Sequence, residues 1–233
     1  MRPPRFGPKP ARTDIQRFRR NTRVFGKVSA LSAGVKGENA KQKVEQVADL
    51  VLKKIPIDWR IGVDKMRLFK RSAEQAAMGK KHIGCLHCSE RCNLAIGLLN
   101  SLKVPAWLAR EIYFNQDKKK WEVHDYVETV VKGEVHTLVF HSLQNVLDSY
   151  AVFEGPFEDV AVVKAHAAKY KAFHFRGADS QQIGGVSHWK QFEQFTSRLR
   201  ENPTKEIEKN KRRVQLMIKE GIIPEEVDYQ IQN

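Results

Sequence analysis

Up to Pro105 the apolar residues of this chain recur every three or four positions; beyond it they alternate. That change of period constrains the fold more than any other feature. From Asn39, NAKQKVEQVADLVLKKI places Val44, Val47, Ala48, Val51 and Ile55 on one helical face, and Pro56 ends the helix. A second helix is expected from Asp64, with Met66, Phe69, Ala73 and Ala76 in line and Gly79 as its stop. A third is expected over 89–102, striped by Cys92, Ala95, Ile96, Leu99 and Leu102. After Pro105, AWLAREIYFN, KWEVHDYVETVVKG and EVHTLVFHSL read as strands joined by the polar turns NQDKKK and KGE. The last third mixes AVVKAHAAKYKAFHF with helices at HWKQFEQFTSRLREN and TKEIEKNKRRVQLMIKEG. Helices, then a meander of strands, then helices is the order of an α+β domain, not of alternating βαβ units.

Three segments follow: a basic N-terminal arm over 1–37, a core over 38–150, and a helical C-terminal completion of that core over 151–233. Prolines 3, 4, 8 and 10 oppose regular structure in the arm. Beyond them TDIQRFRRNTRVFGKV suits a basic helix capped near Thr13 or Asp14. Residues 1–27 hold nine Lys and Arg against one Asp, with Phe18 and Phe25 among them. Arg17, Arg19, Arg20 and Arg23 are therefore the candidate nucleic-acid contacts, and a solvated tail is the plainer reading. The whole chain of 233 residues carries a net charge of +14, a field that attracts polyanions and makes nucleic acid or the ribosome a candidate partner. MRPPRFGPKPAR lacks the apolar stretch of a secretory signal, and no apolar run reaches the ~18 residues of a membrane span. A cytoplasmic protein with no membrane contact is expected.

Cys85, Cys88 and Cys92 are the only cysteines of the chain. A metal is the first reading, since Cys85 and Cys88 form C-x2-C with His82 and His87 nearby. Structural zinc usually takes two such pairs, and no second pair exists; a fourth ligand would have to be His82, His124 or another distant histidine. An iron–sulfur site would likewise lack a thiolate. Neither a metal nor a cofactor is expected. Cys92 reads as a small core residue on the helix's apolar face. Cys88 stands at a helix mouth, where backbone N–H groups favour thiolate over thiol, and is the candidate nucleophile. Its candidate base is His124, on the strand KWEVHDYVETVV, where Val123, Asp125 and Val127 face one side and His124, Tyr126 and Glu128 the other.

These residues resemble the transglutaminase-like branch of the papain-like cysteine enzymes. Cys88 leads a helix through Leu98, Leu99, Leu102 and Val104 to Pro105 and Ala106, at the family's seventeen-residue spacing from cysteine to proline. His124-Asp-Tyr-Val-Glu128 matches the family's His-x-Trp-x-Glu, with Tyr126 for Trp, and Gly133 fits the turn that follows. SAEQAAMGKKHIGC is similar to the lead-in helix. The resemblance covers about residues 45–142. It implies a papain-like core and a hydrolase or acyltransferase that acts on an amide of a protein or peptide through a thiolate, with Tyr126 and Trp107 near the substrate. Two departures stand. Gly84-Cys85 offers Cys85 as the nucleophile if three residues are inserted, and the family's aspartate falls near Val139 or His141, where there is no acid. His141 is the candidate third catalytic group, with Ser142 and Asn145 as further candidates and Asp179 as a remote one. A fold that has lost its chemistry and binds nucleic acid instead is the alternative.

The remaining features read more plainly. RGADSQQIGGVSHW is a connecting turn with Ser187 as an N-cap, or else a substrate loop, and it lacks the phosphate-loop pattern. His136, His166 and His174 read as structural histidines. KEIEKNKRR over 205–213 is a solvated helix face or a phosphate-binding stripe.

Overall fold

A computed structural model describes residues 26–55, 72–78, 88–142, 149–180, 182–183 and 189–227. Among the described residues four helices come first: α1 (Gly26–Ser32), α2 (Ala40–Lys54), α3 (Ala73–Ala77) and α4 (Cys88–Ser101). Strands β1 (Ala106–Asn115), β2 (Lys120–Val131), β3 (Glu134–Ser142) and β4 (Ser149–Glu154) follow. Then come α5 (Ala161–Lys169), β5 (Ala172–Gly177), α6 (Trp189–Glu201) and α7 (Pro203–Lys219). The fold is α+β. Its five strands form one antiparallel sheet in the order β4-β3-β2-β1-β5. No helix among the described residues is long and apolar enough to cross a membrane.

Local chemistry sets the elements. Asn39 caps α2 by accepting the Gln42 N–H, and Val44, Val47, Ala48 and Val51 are its buried face, as the spacing predicts. Ser72 and Gln75 form a reciprocal capping box that opens α3; the expected start near Asp64 lies outside the described residues. Helix α4 ends with the Val104 N–H on the Leu99 carbonyl and the Lys103 N–H on the Asn100 carbonyl, Lys103 taking the left-handed backbone (φ 62°) of that motif. Asn100 then holds both the N–H and the carbonyl of Ala106, which aims the chain into β1. At the next corner the Glu122 carboxylate collects Tyr113, Asn115 and Lys118.

Part of the segment read as the basic arm packs on the core. Residues 1–25, with Arg17, Arg19, Arg20 and Arg23, lie outside the described residues, but α1 folds into the core through fully buried Val28. The Glu74 carboxylate accepts the Lys27 and Val28 N–H groups, satisfying donors that a helix start leaves open. Gly26 takes the left-handed backbone (φ +47°), and a Cβ there would crowd the Glu74 carboxylate, which favours glycine.

Both faces of the sheet are covered. One packs Leu108, Ile112, Val123, Val127, Leu138 and Phe140 against α1–α4 and α6. The other packs Trp107 and Val135 against Val214, Met217 and Ile218 of α7, and Ala109, Tyr126 and Val139 against Phe157, Val160 and Val163. Strand β1 is accordingly buried at every position but Phe114.

Candidate functional site

The candidate cysteine opens α4, the expected place. Cys88 is half-buried, and its sulfur receives the main-chain N–H of Asp125 on β2. That approach depends on the sheet. The β2–β3 ladder runs from Val127↔Leu138 to Val131↔Glu134, so among the described residues the first half of β2 pairs only with β1. The edge N–H groups of β2 are thereby released toward the mouth of α4. Since the Asp125 N–H belongs to the His124–Asp125 peptide, the sulfur lies beside the main chain that follows the candidate base.

Beneath Cys88 lies a buried polar platform. The Arg110 guanidinium grips the Asp125 carboxylate through two hydrogen bonds, 2.5 and 2.7 Å, and both side chains are 0% exposed. A third Arg110 nitrogen reaches the Ser180 carbonyl, and Asn93 holds the Ser180 hydroxyl and N–H. Burial, with the Asp125 charge adding to it, pushes the Cys88 thiol up to about 12; the Asp125 N–H and the Arg110 charge pull the other way and lose. The resting thiol is neutral. Cys92, one turn on, is fully buried in the main core with its thiol raised further by burial, in keeping with a core role.

The side chains of β2 divide as the alternation predicts. Asp125 turns toward α4, while His124 turns to the opposite face and is exposed. There its ring stacks 5.6 Å from His166 and 6.2 Å from Tyr113. Directly across the ladder from His124 stands Glu111, 0% exposed. Its carboxylate is hydrogen-bonded to His166 Nδ1 at 2.7 Å, accepts from the Tyr126 hydroxyl at 3.3 Å, and lies 3.7 Å from His174 Nε2. Burial alone raises the carboxyl, but His166 and His174 outweigh it and hold Glu111 below the ordinary carboxylate range. Sequence reasoning missed this cluster: His166 and His174, read as structural histidines, converge on a carboxylate 55 and 63 positions earlier. The available signal was Glu111 itself, an acid inside the apolar strand AWLAREIYFN.

Three candidate assignments are corrected. Trp107 is fully buried against α7 and donates its indole N–H to Glu128, so it cannot line a substrate site. Tyr126 is buried on Phe157 with its hydroxyl committed to Glu111. His141 sits beyond the end of the β2–β3 ladder, paired in β3–β4 with Tyr150 and stacked on it at 4.9 Å. Burial lowers its pKa. Glu111, not His141, is the group across from His124.

Other sequence readings find their places. Asp179 is fully buried and its side chain accepts the Gln182 N–H, a turn role. Residues 176–180 are buried against the Glu128 and Asn93 networks rather than forming an exposed loop. His136 stacks on Phe153. Cys85, His82, His87, Asn145 and Ser187 lie outside the described residues. Among the described residues no group of three or more His, Cys, Asp or Glu side chains is arranged to hold a metal ion. A scan against protein-family models and a search of curated protein sequences each return no match to this chain.

Proposed function

We propose that this chain is a cysteine-dependent acyl-transfer enzyme with a transglutaminase-like, papain-like core, acting in the cytoplasm on an amide of a protein or peptide. The observation that carries the reading is the Cys88 sulfur at a helix mouth, bonded by the Asp125 N–H beside His124. Because the resting thiol is neutral, a base must take its proton when substrate is present; this reading gives that role to His124, which must swing from the opposite face of β2 to reach the sulfur. The imidazole takes the Sγ proton as sulfur adds to the carbonyl carbon, and the negative charge passes to the carbonyl oxygen. Collapse expels the amine with the proton from the imidazolium and leaves a thioester on Cys88. Water or a second amine then attacks the thioester, and the returning proton restores the thiol. The open backbone N–H groups of the first turn of α4 are the donors that this reading assigns to the oxyanion. Glu111 is a positioning residue: it holds His166, whose ring stacks on that of His124.

The test uses p-nitrophenyl acetate, an activated acyl donor. The expected result is a burst of p-nitrophenolate and one acetyl group mapped to Cys88. His124→Ala should slow acylation by about a hundred- to ten-thousand-fold. Glu111→Gln should move its pH profile. No acetyl on Cys88, or equal acylation in H124A, would sink the enzyme reading. A catalytically silent fold that binds nucleic acid or the ribosome through its positive surface would then be favoured, and the raised Cys88 thiol already leans that way.

A further inference from the structure

A second site lies away from Cys88. Strand β5, α6 and α7 enclose a cleft of about 230 Å³ lined by Arg198, Lys209, Arg213 and Glu206 over a floor of Phe175 and Phe195. Its walls are fixed. Asn210 binds the Arg176 main chain through both ends of its amide, pinning α7 to β5, and Phe175 meets Phe195 edge to face at 5.5 Å.

Three cations therefore face one carboxylate. Glu206 spends a single oxygen on two of them, Lys209 at 2.6 Å and Arg198 at 3.8 Å. Arg213 has no hydrogen bond or ion pair among the described residues. Burial holds it below an ordinary arginine, and the charges of Asp179 and Glu206 offset this only in part. A half-buried guanidinium without a contact partner is a standing cost, and it is relieved by a ligand that brings oxygen acceptors with negative charge. The lining carries three positive charges and one negative, a net +2. A phosphate monoester, of charge about −1.5 to −2, matches that; a carboxylate leaves half of it uncompensated. Guanidinium forks suit phosphoryl oxygens, and the apolar floor strengthens the attraction. The cleft is smaller than the ~300–1,000 Å³ of sites that enclose a whole small molecule. It takes the phosphoryl group and its nearest neighbour, with the rest of the ligand outside.

We propose that this cleft recognises a terminal phosphate monoester, held by Arg213 and Arg198 with Lys209 at the rim. Two sources share that chemistry, a free nucleotide and the 5′-phosphorylated end of an RNA.

Calorimetric titration of the full chain with AMP, adenosine, and short RNAs bearing 5′-phosphate or 5′-hydroxyl tests it. AMP should bind at least about tenfold more tightly than adenosine, and Arg213→Gln should remove that advantage. Lys54→Gln, an equal change in net charge on α2, should change AMP affinity by less than about twofold. The ligand-free Arg213→Gln protein should melt no lower than the parent, because its charge is disfavoured in the empty cleft. Arg198→Gln, at a more exposed position, gives a second variant expected to weaken AMP. A 5′-phosphate preference among the RNAs assigns the site to RNA ends; tight AMP with no such preference assigns it to free nucleotides. Equal binding of AMP and adenosine, or equal losses in the Arg213 and Lys54 variants, overturns the proposal.

Discussion

The neutral Cys88 thiol can be read directly from its rate of reaction with an aromatic disulfide. With its pKa at about 12, only about one molecule in 10,000 carries thiolate at pH 8, against roughly a quarter for an ordinary cysteine of pKa ~8.5. Thiolate fraction alone makes Cys88 about 2,000-fold slower. A more basic thiolate is a better nucleophile, however, and a Brønsted coefficient of about 0.4–0.5 over the ~3.5-unit difference returns a factor of about 25–55. Population wins. Cys88 should react about 40- to 100-fold more slowly than a free thiol at pH 8, and partial burial slows it further. Stopped-flow release of the aromatic thiolate measures the rate, and peptide mapping assigns it among Cys85, Cys88 and Cys92. The diagnostic is the slope: the rate should rise about tenfold per pH unit from pH 7 to 10, because each unit multiplies the thiolate population by ten. A flat profile from pH 6 to 8 at the rate of a free thiolate would mean a standing ion pair with an imidazole. Burial and the Asp125 charge would then not control the thiol.

Two further outcomes concern stability. Arg110→Met leaves the Asp125 carboxylate buried without its partner and should cost about 3–5 kcal/mol in urea unfolding, with a coupled Asp125→Leu change recovering much of the loss; similar stability of R110M and the parent would contradict the burial of this pair. Glu122 is held down to about 2, burial alone pushing it up but Asn115, Lys118 and Tyr113 outweighing it, so its stabilisation is present above the ordinary carboxylate value near 4.5. Thermal melts of the parent and Glu122→Gln should differ most near neutral pH and converge as the pH falls from about 4.5 toward 2, and a constant offset would count against the assignment.

What could be read from the sequence was local. The α2 face from Val44 to Val51, the start of α4 at Cys88 and the Lys132-Gly133 turn all rest on neighbours within a few positions, and the structure has each. What could not be read was what covers the second face of the sheet. Alternation in KWEVHDYVETVV puts Tyr126 opposite Asp125, but nothing near Tyr126 announces that Phe157 and Val163 will cover it. For the same reason Trp107 reads as available from its strand and is sealed by Met217 and Ile218, more than a hundred positions later. The packing of α1 was equally hidden: it is captured by Glu74, 46 and 47 positions away from the N–H groups that it satisfies.

The alternation of strand β2 sets where His124 stands relative to Cys88. A residue's two neighbours in a strand point away from it, so Asp125 and His124 cannot both turn their side chains toward α4. Were Cys88 packed onto the face of the sheet, it would meet Asp125 alone and His124 would be screened by the backbone. The Asp125 N–H that reaches the sulfur lies in the plane of the sheet, at the strand's edge, while the His124 ring stays on the opposite face beside His166. Among the described residues β3 pairs with β2 only as far as Val127↔Leu138. Catalysis at Cys88, on the reading proposed, therefore depends on that ladder ending where it does. On that reading His124 must swing around the edge of β2 to reach the sulfur, away from the His166 ring on which it stacks.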